Sequence, residues 1–308
     1  MMKPFRKNIA IAIDGGGIRG IIVTQALTIL ETFLNKPVHD IFRLVVGTST
    51  GSIISAGIAA GITAKHMTQI YMDMGVSIFP NTLRKTLFPL TRYRYPVDPL
   101  NNALKTQFGK MRMGDFWKNN PRTDLVITVF DLEENRTKFI KPWKNEYKDW
   151  MLSKAVQASC TVPTYFPAVD NRYIDGGVGS YGNPCYIAAY EAKECLNWEP
   201  ADTTLISIGT GRSPYIFNTE ITPRLWAWDW IGRVFGVFMQ SAYDQQVHLV
   251  ETYFRELDFR RFQINLREPI EMDDTHQIDH LVAYGSQLGR MILNDQFDRT
   301  QGIIVKKI

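Results

Sequence analysis

The sequence predicts an α/β protein: a mainly parallel sheet with helices on both faces. Short β-branched runs alternate with longer helical patterns from the start of the chain, the signature of βα units. Several runs end in glycine-rich turns, where such sheets gather reactive groups at their carboxyl ends. With 308 residues and 45% of them hydrophobic, there is enough apolar material for a sizeable core.

Taken in order, "NIAIAID" reads as a strand and Ile21 to Leu34 as a helix. Ile41 to Val46, within "IFRLVVG", forms a second strand, and Ser49 to Ala60 a second helix. Next, "DLVITVFDL" and "TKFIKPW" make a strand pair, "SKAVQASC" a helix, and "LISIGTG" a strand closed by a glycine turn. Near Arg212 the composition changes, and a helical tail over 212–308 is expected to pack on a core over 8–211. The whole chain, 1–308, is then a single domain.

The net charge of +4 is too mild for a nucleic-acid polymer partner. Cys160, Cys185 and Cys195 lack metal-ligand spacing and read as thiols of a reducing compartment. The opening "MMKPFRKNIAIAID" puts basic residues before an apolar run that stops at Asp14, too short for a leader. No charge-free window of membrane-span length occurs. A soluble, cytoplasmic protein is expected.

Gly15, Gly17 and Gly20 satisfy G-x-G-x-x-G, and Asp40 stands about twenty positions further on, so a dinucleotide site deserves weighing. Its direction is wrong. The ribose-binding acid belongs at the carboxyl end of the second strand, and Asp40 precedes that strand. "GTSTG", Gly47 to Gly51, occupies the carboxyl end instead. It is a G-x-S-x-G elbow with a strand before it and a helix after it, presenting Ser49 at a helix amino end. If Ser49 attacks a carbonyl, the amides of Gly16 and Gly17 suit the oxyanion, with Gly15 shaping the turn. Arg19 orients that loop through its carbonyls or adds positive potential.

A serine needs a proton acceptor. Ser49, Asp175 and a late histidine would imitate a triad, but none of His39, His66, His248, His276 and His280 sits in a glycine turn. Asp175 in "YIDGGVGSYGNP" follows a short apolar pair and precedes Gly176 and Gly177, which let another backbone approach.

"DGGGIRG", "GTSTG" and "DGG", in that order, resemble the motifs of patatin-like phospholipases, as do "ASCTVPTYFPAV", "LISIGTG" and "YPVDPLNNALKTQFGKMRMGDF". The resemblance covers Asn8 to Gly211; the last ninety-odd residues carry no such pattern. It implies a three-layer α/β/α fold and a lipid acyl hydrolase without cofactor or metal. Ser49 would be the nucleophile and Asp175 the base, with Gly15, Gly16, Gly17 and Arg19 in the oxyanion loop. Bacterial members similar to this chain include antiviral effectors switched on by cyclic nucleotides. A nucleotide-binding regulatory module and a catalytically idle lipid-binding protein remain open as other classes.

Two stretches bear on partners. From Arg84 to Arg122, nine Lys/Arg face only Asp98 and Asp115, amid aromatics and prolines. "FPNTLRKTLFPLTRYRYP" reads as exposed and loop-rich, and the basic surface suits anionic headgroups at the inner membrane face, a small anionic activator such as a cyclic nucleotide, or plain solvation. "RLWAWDWIGRVFGVFMQSAYDQQ", with Trp226, Trp228, Trp230, Phe235 and Phe238, suits an acyl groove, an interfacial helix, core packing or a homo-oligomer contact. "HQIDH" places His276 and His280 at i and i+4, a metal pair lacking a third ligand.

Overall fold

The computed structural model describes residues 2–80, 83–88, 90–118, 123–214 and 222–298; the side chains of 83, 118, 227–229 and 231–235 fall outside that description. The strands are β1 (Asn8–Ile13), β2 (Leu44–Gly47), β3 (Asp124–Asp131), β4 (Arg136–Ile140), β5 (Tyr173–Asp175), β6 (Thr203–Ile208) and β7 (Asp258–Phe262). The helices are α1 (Gly20–Leu34), α2 (Val38–Ile41), α3 (Thr50–Ala59), α4 (Ala64–Ile78), α5 (Leu83–Thr86), α6 (Asp98–Phe108), α7 (Asp115–Lys118), α8 (Leu152–Cys160), α9 (Cys185–Tyr190), α10 (Ala227–Tyr253) and α11 (Ile278–Leu293).

The sheet runs β4-β3-β2-β1-β6-β7. Its five strands from β3 to β7 are parallel, while β4 and β5 both pair antiparallel with β3. Strand periodicity divides the core in two. Ile11, Ile13, Val45, Ile127 and Ile206 face one side, with the buried residues of α1, α3, α8 and α11. Ala10, Ala12, Leu44, Val46 and Leu205 face the other, against α9 and α10. Two buried faces require two helical layers, so the fold is a three-layer α/β/α sandwich.

Three expectations need correction. Only Leu44–Gly47 of the predicted second strand is extended: Pro37, at φ −67°, caps the short α2, so Ile41 ends a helical turn. The tail is not purely helical, because β7 lies beyond Arg212 and completes the sheet beside β6. The stretch 79–96 is loop-rich as expected, with α5 its only helix among the described residues, but it is not wholly exposed. Tyr95 there is fully buried, and its hydroxyl donates to Asp273 Oδ2 at 2.5 Å. Lys85 pairs with the same carboxylate at 3.0 Å, and Arg94 stacks on Tyr165 and Phe88. Arg122 lies outside the described residues.

Gly17–Leu34 has the length and hydropathy of a membrane span, yet carries Arg19 and Glu31. Its α1 is a core helix packed against α4 and α11. Along α10 the aromatic reading divides. Trp226 (67%) and Phe238 (53%) are exposed and Trp230 borders on it, whereas Ala242, Val247 and Val250 are buried. The side chains of Trp228 and Phe235 lie outside the described residues. His276 falls in a 3-10 turn before α11, and His280 Nδ1 meets Gln277 Oε1 at 2.6 Å. Among the described residues no cluster of His, Cys, Asp or Glu suits a metal.

Candidate functional site

β3 brings the two distant motifs together. Gly47, the last residue of β2, pairs with Ile127; Asp175, the last of β5, pairs with Val129 two residues further along the same strand. β5 therefore enters the lane that β2 vacates, running towards it. Ser49, two residues past Gly47, arrives beside Asp175.

The elbow holds Ser49 at φ 54° and ψ −127°, a left-handed conformation costly for a side chain with a Cβ. Its surroundings fix it there. Ser49 N donates to Ser159 Oγ at 2.9 Å, and the Ser49 carbonyl accepts from Ser52 N, Ser52 Oγ and Cys160 Sγ. Gly47 and Gly51 serve close approach: a Cβ on Gly47 would sit 2.1 Å from the Gly51 carbonyl oxygen, and one on Gly51 2.2 Å from that of Ile13. The helix that opens after Ser49 can therefore lie directly on the strand ends.

Asp175 is 4% exposed. It caps the 3-10 turn Gly176–Gly179, its Oδ1 accepting from Gly177 N at 2.7 Å, while its own amide donates to the Thr161 carbonyl. Gly176 lies flat on Thr128, where a Cβ would meet the hydroxyl at 2.3 Å. Burial pushes the Asp175 pKa up to about 6, opposed by the neighbouring Ser49 hydroxyl and the Gly177 amide. Ser49 and Asp175 are adjacent without an aligned hydrogen bond, and Asp175 Oδ2 is buried with no partner. Catalytic hydrogen bonds often tighten only around substrate.

The glycine loop forms the third side. Gly15 N donates to the Gly182 carbonyl and Gly15 O accepts from Thr210 Oγ1, so Gly15 shapes the turn and its amide is already used. Gly16 and Gly17 amides make no hydrogen bond to the described residues. Gly17 has φ 59° and packs so tightly on Met272 that a Cβ would stand 2.3 Å from that carbonyl oxygen. Arg19 Nε donates to the Gly16 carbonyl at 3.3 Å and Nη1 reaches Ser213, which is the loop-orienting reading. Asp40 lies in α2, before β2, away from this loop.

From Ser49 and Gly17 an almost wholly apolar pocket, about 950 Å³ with its mouth, runs between α3, α4, α6 and the end of α8. Ile53, Met67, Leu104, Phe108 and Phe166 line it. Its lining is the kind of surface that buries hydrocarbon.

Several neighbours escaped the sequence reading. Ser159 and Cys160 brace the elbow and Thr210 the loop; all three lie in stretches quoted for their pattern without a role. Tyr243 of α10 packs over Gly182, and burial with the nearby Asp14 carboxylate holds its phenol neutral, above its ordinary pKa. Asp14, at the head of the glycine loop, is fully buried and grips Arg261 of β7 through both oxygens, at 2.9 and 2.6 Å.

Comparison with known proteins gives the family of the chain. The sequence profile described as "Patatin-like phospholipase" matches residues 11–189. The chain belongs to the patatin-like phospholipase family. It is 30% identical over 222 residues to an intracellular phospholipase A2 of Caenorhabditis elegans, covering 66% of this chain and 19% of that protein. It is 24% identical over 229 residues to a cGAMP-activated phospholipase of Vibrio cholerae, covering 65% and 63%. The chain thus spans less than two thirds of either relative. VipD from Legionella pneumophila superposes with a TM-score of 0.49 at 12% identity, over 95% of this chain and 67% of that one.

Proposed function

We propose that this protein is a serine lipid acyl hydrolase that cleaves the acyl esters of membrane phospholipids. One observation carries the reading: a strained serine at the end of an apolar slot, next to a buried carboxylate with one unpartnered oxygen. Asp175 accepts the Ser49 proton as Oγ attacks the ester carbonyl. The oxyanion that forms is received by the Gly16 and Gly17 amides, each such donor being worth ~3 kcal/mol of transition-state stabilisation. Collapse expels the alcohol, which takes the proton back from Asp175, and leaves an acyl-Ser49. Water, losing its proton to Asp175, then attacks the acyl carbonyl; collapse releases the fatty acid, and Asp175 returns the proton to the departing Ser49 Oγ.

An aspartate at its ordinary pKa of 3.8 is a feeble base towards a hydroxyl. Raising it to about 6 strengthens it while leaving it ionised at neutral pH. Arg19, tied to the Gly16 carbonyl, holds the loop in its receiving shape.

The likeness to the cGAMP-activated phospholipase of Vibrio cholerae extends the proposal to activation by a cyclic nucleotide. The family resemblance of the sequence adds the reading of a cytoplasmic antiviral effector working at the inner membrane face. The decisive experiment incubates the protein, with and without cyclic dinucleotide, with mixed phospholipid vesicles and identifies released products by mass spectrometry. Fatty acid and lysophospholipid are expected, together with labelling of Ser49 by a fluorophosphonate. Intact lipids and no labelling would refute the reading.

A further inference from the structure

A second concavity lies on the far side of α6 and α8 from the apolar slot. It is an open groove of about 780 Å³ whose lining includes Asn101, Lys105, Ser153, Lys154, Gln157 and Asp170. Asn101 and Lys105 stand one turn apart on α6, while Leu100 and Leu104 turn to the other face and wall the acyl slot. The side chains of Asn101, Lys105, Ser153 and Gln157 have no hydrogen-bond or ion-pair partner among the described residues. Ser153 is only 7% exposed, and its hydroxyl opens into the groove.

The groove's chemistry is donor-rich. A hydroxyl, two amides and two ammonium groups line it together with the first turn of α8, whose dipole favours negative charge. Of the backbone amides there, Leu152, Lys154 and Ala155 already donate to the Met111 and Met151 carbonyls. The one acidic group, Asp170, is neutralised by Lys154 at 2.6 Å. Lys154 also rests on the Trp150 ring at 4.4 Å, which holds it at the rim.

We propose that this groove binds the phosphate group of a small phosphate-bearing molecule and communicates it to the nucleophile elbow through α8. From Ser153 to Ser159 is six residues, about 9 Å of helix. At the far end, Ser159 accepts the Ser49 amide, Cys160 donates to the Ser49 carbonyl, and the Thr161 carbonyl takes the Asp175 amide. A ligand that tightens the first turn of α8 therefore acts on a helix whose last turn sets both reacting side chains. The binding goes beyond the proposed hydrolysis; only its effect on rate rests on that reading.

The probe is sn-glycerol 3-phosphate, titrated calorimetrically at constant ionic strength into wild type and into Ser49→Ala. Saturable binding is expected in both. Lys105→Glu and Ser153→Asp, which set carboxylates in the groove, weaken it by at least about tenfold; Lys105→Gln, with matching thermal melts, guards against misfolding. A parallel arm uses phosphatidate and phosphatidylcholine vesicles. Loss of phosphatidate binding in the same variants, with no soluble binding, assigns the phosphate to a lipid headgroup. No saturable response in either arm, or one that the variants leave unchanged, overturns the site. Saturation that changes the hydrolytic rate of wild type but not of Lys105→Glu supports the α8 coupling; an unchanged rate removes it. A protein that binds yet hydrolyses nothing removes the hydrolase reading and leaves the groove standing.

Discussion

Buried and short of one hydrogen bond, Asp175 has opposite consequences for activity and for stability. Ser49→Ala and Asp175→Asn are each expected to reduce ester hydrolysis to background, measured by fatty-acid release, with circular dichroism unchanged. For wild type, kcat/KM should fall on acidification with an apparent pKa near the Asp175 value of about 6, because the protonated carboxyl cannot act as base. Stability runs the other way. A carboxyl whose folded pKa lies above its unfolded value contributes stability that is complete below about pH 4 and lost as pH rises through 6. Ionised at pH 8, Asp175 destabilises the fold by roughly 2–3 kcal/mol, so Asp175→Asn should melt at a higher temperature than wild type there. The difference should vanish by pH 4 in a thermal-melt series. Ser49 and Asp175 stood out in the sequence because glycines flank both, and the close backbone approach at Gly47, Gly51 and Gly176 is what those glycines allow. Ser159, Thr210 and Tyr243 did not. A lone hydroxyl in an apolar stretch looks like ordinary filling until the distance to its partner is known.

Helices decide what the site accepts. The slot is walled by α3, α4 and α6, and Leu104, 3% exposed, sits within it. Leu104→Trp should shorten the accessible channel. The ratio of kcat/KM for long-chain over butyryl esters is then expected to fall at least about tenfold, with the butyryl rate little changed. Equal losses on both substrates would mean that the chain lies elsewhere. The inner strands could be read from β-branched periodicity alone. β7 could not: "DFRRF" carries two central arginines that read as surface, yet Arg260 is 1% and Arg261 4% exposed. They tolerate burial because Asp258 and Asp14 meet them, and Asp14 lies 247 positions away in the chain.

That pairing ties the molecule's two ends together. β7 from the tail and the glycine loop from the amino-terminal strand share one buried ion pair, so the tail supports the site. Arg261→Met leaves the Asp14 carboxylate stranded in the interior and should cost about 3–5 kcal/mol in urea unfolding. Adding Asp14→Asn should recover part of that loss, since the charge left without a partner is then gone. A second long-range device has a wider consequence. Gly47 and Asp175 are registered two residues apart on β3, at Ile127 and Val129, so the separation of Ser49 from Asp175 is set by strand pairing and not by α4 and α6, which wall the slot. Substitutions in those walls are therefore expected to change which acyl chains fit while leaving Ser49 and Asp175 where they stand.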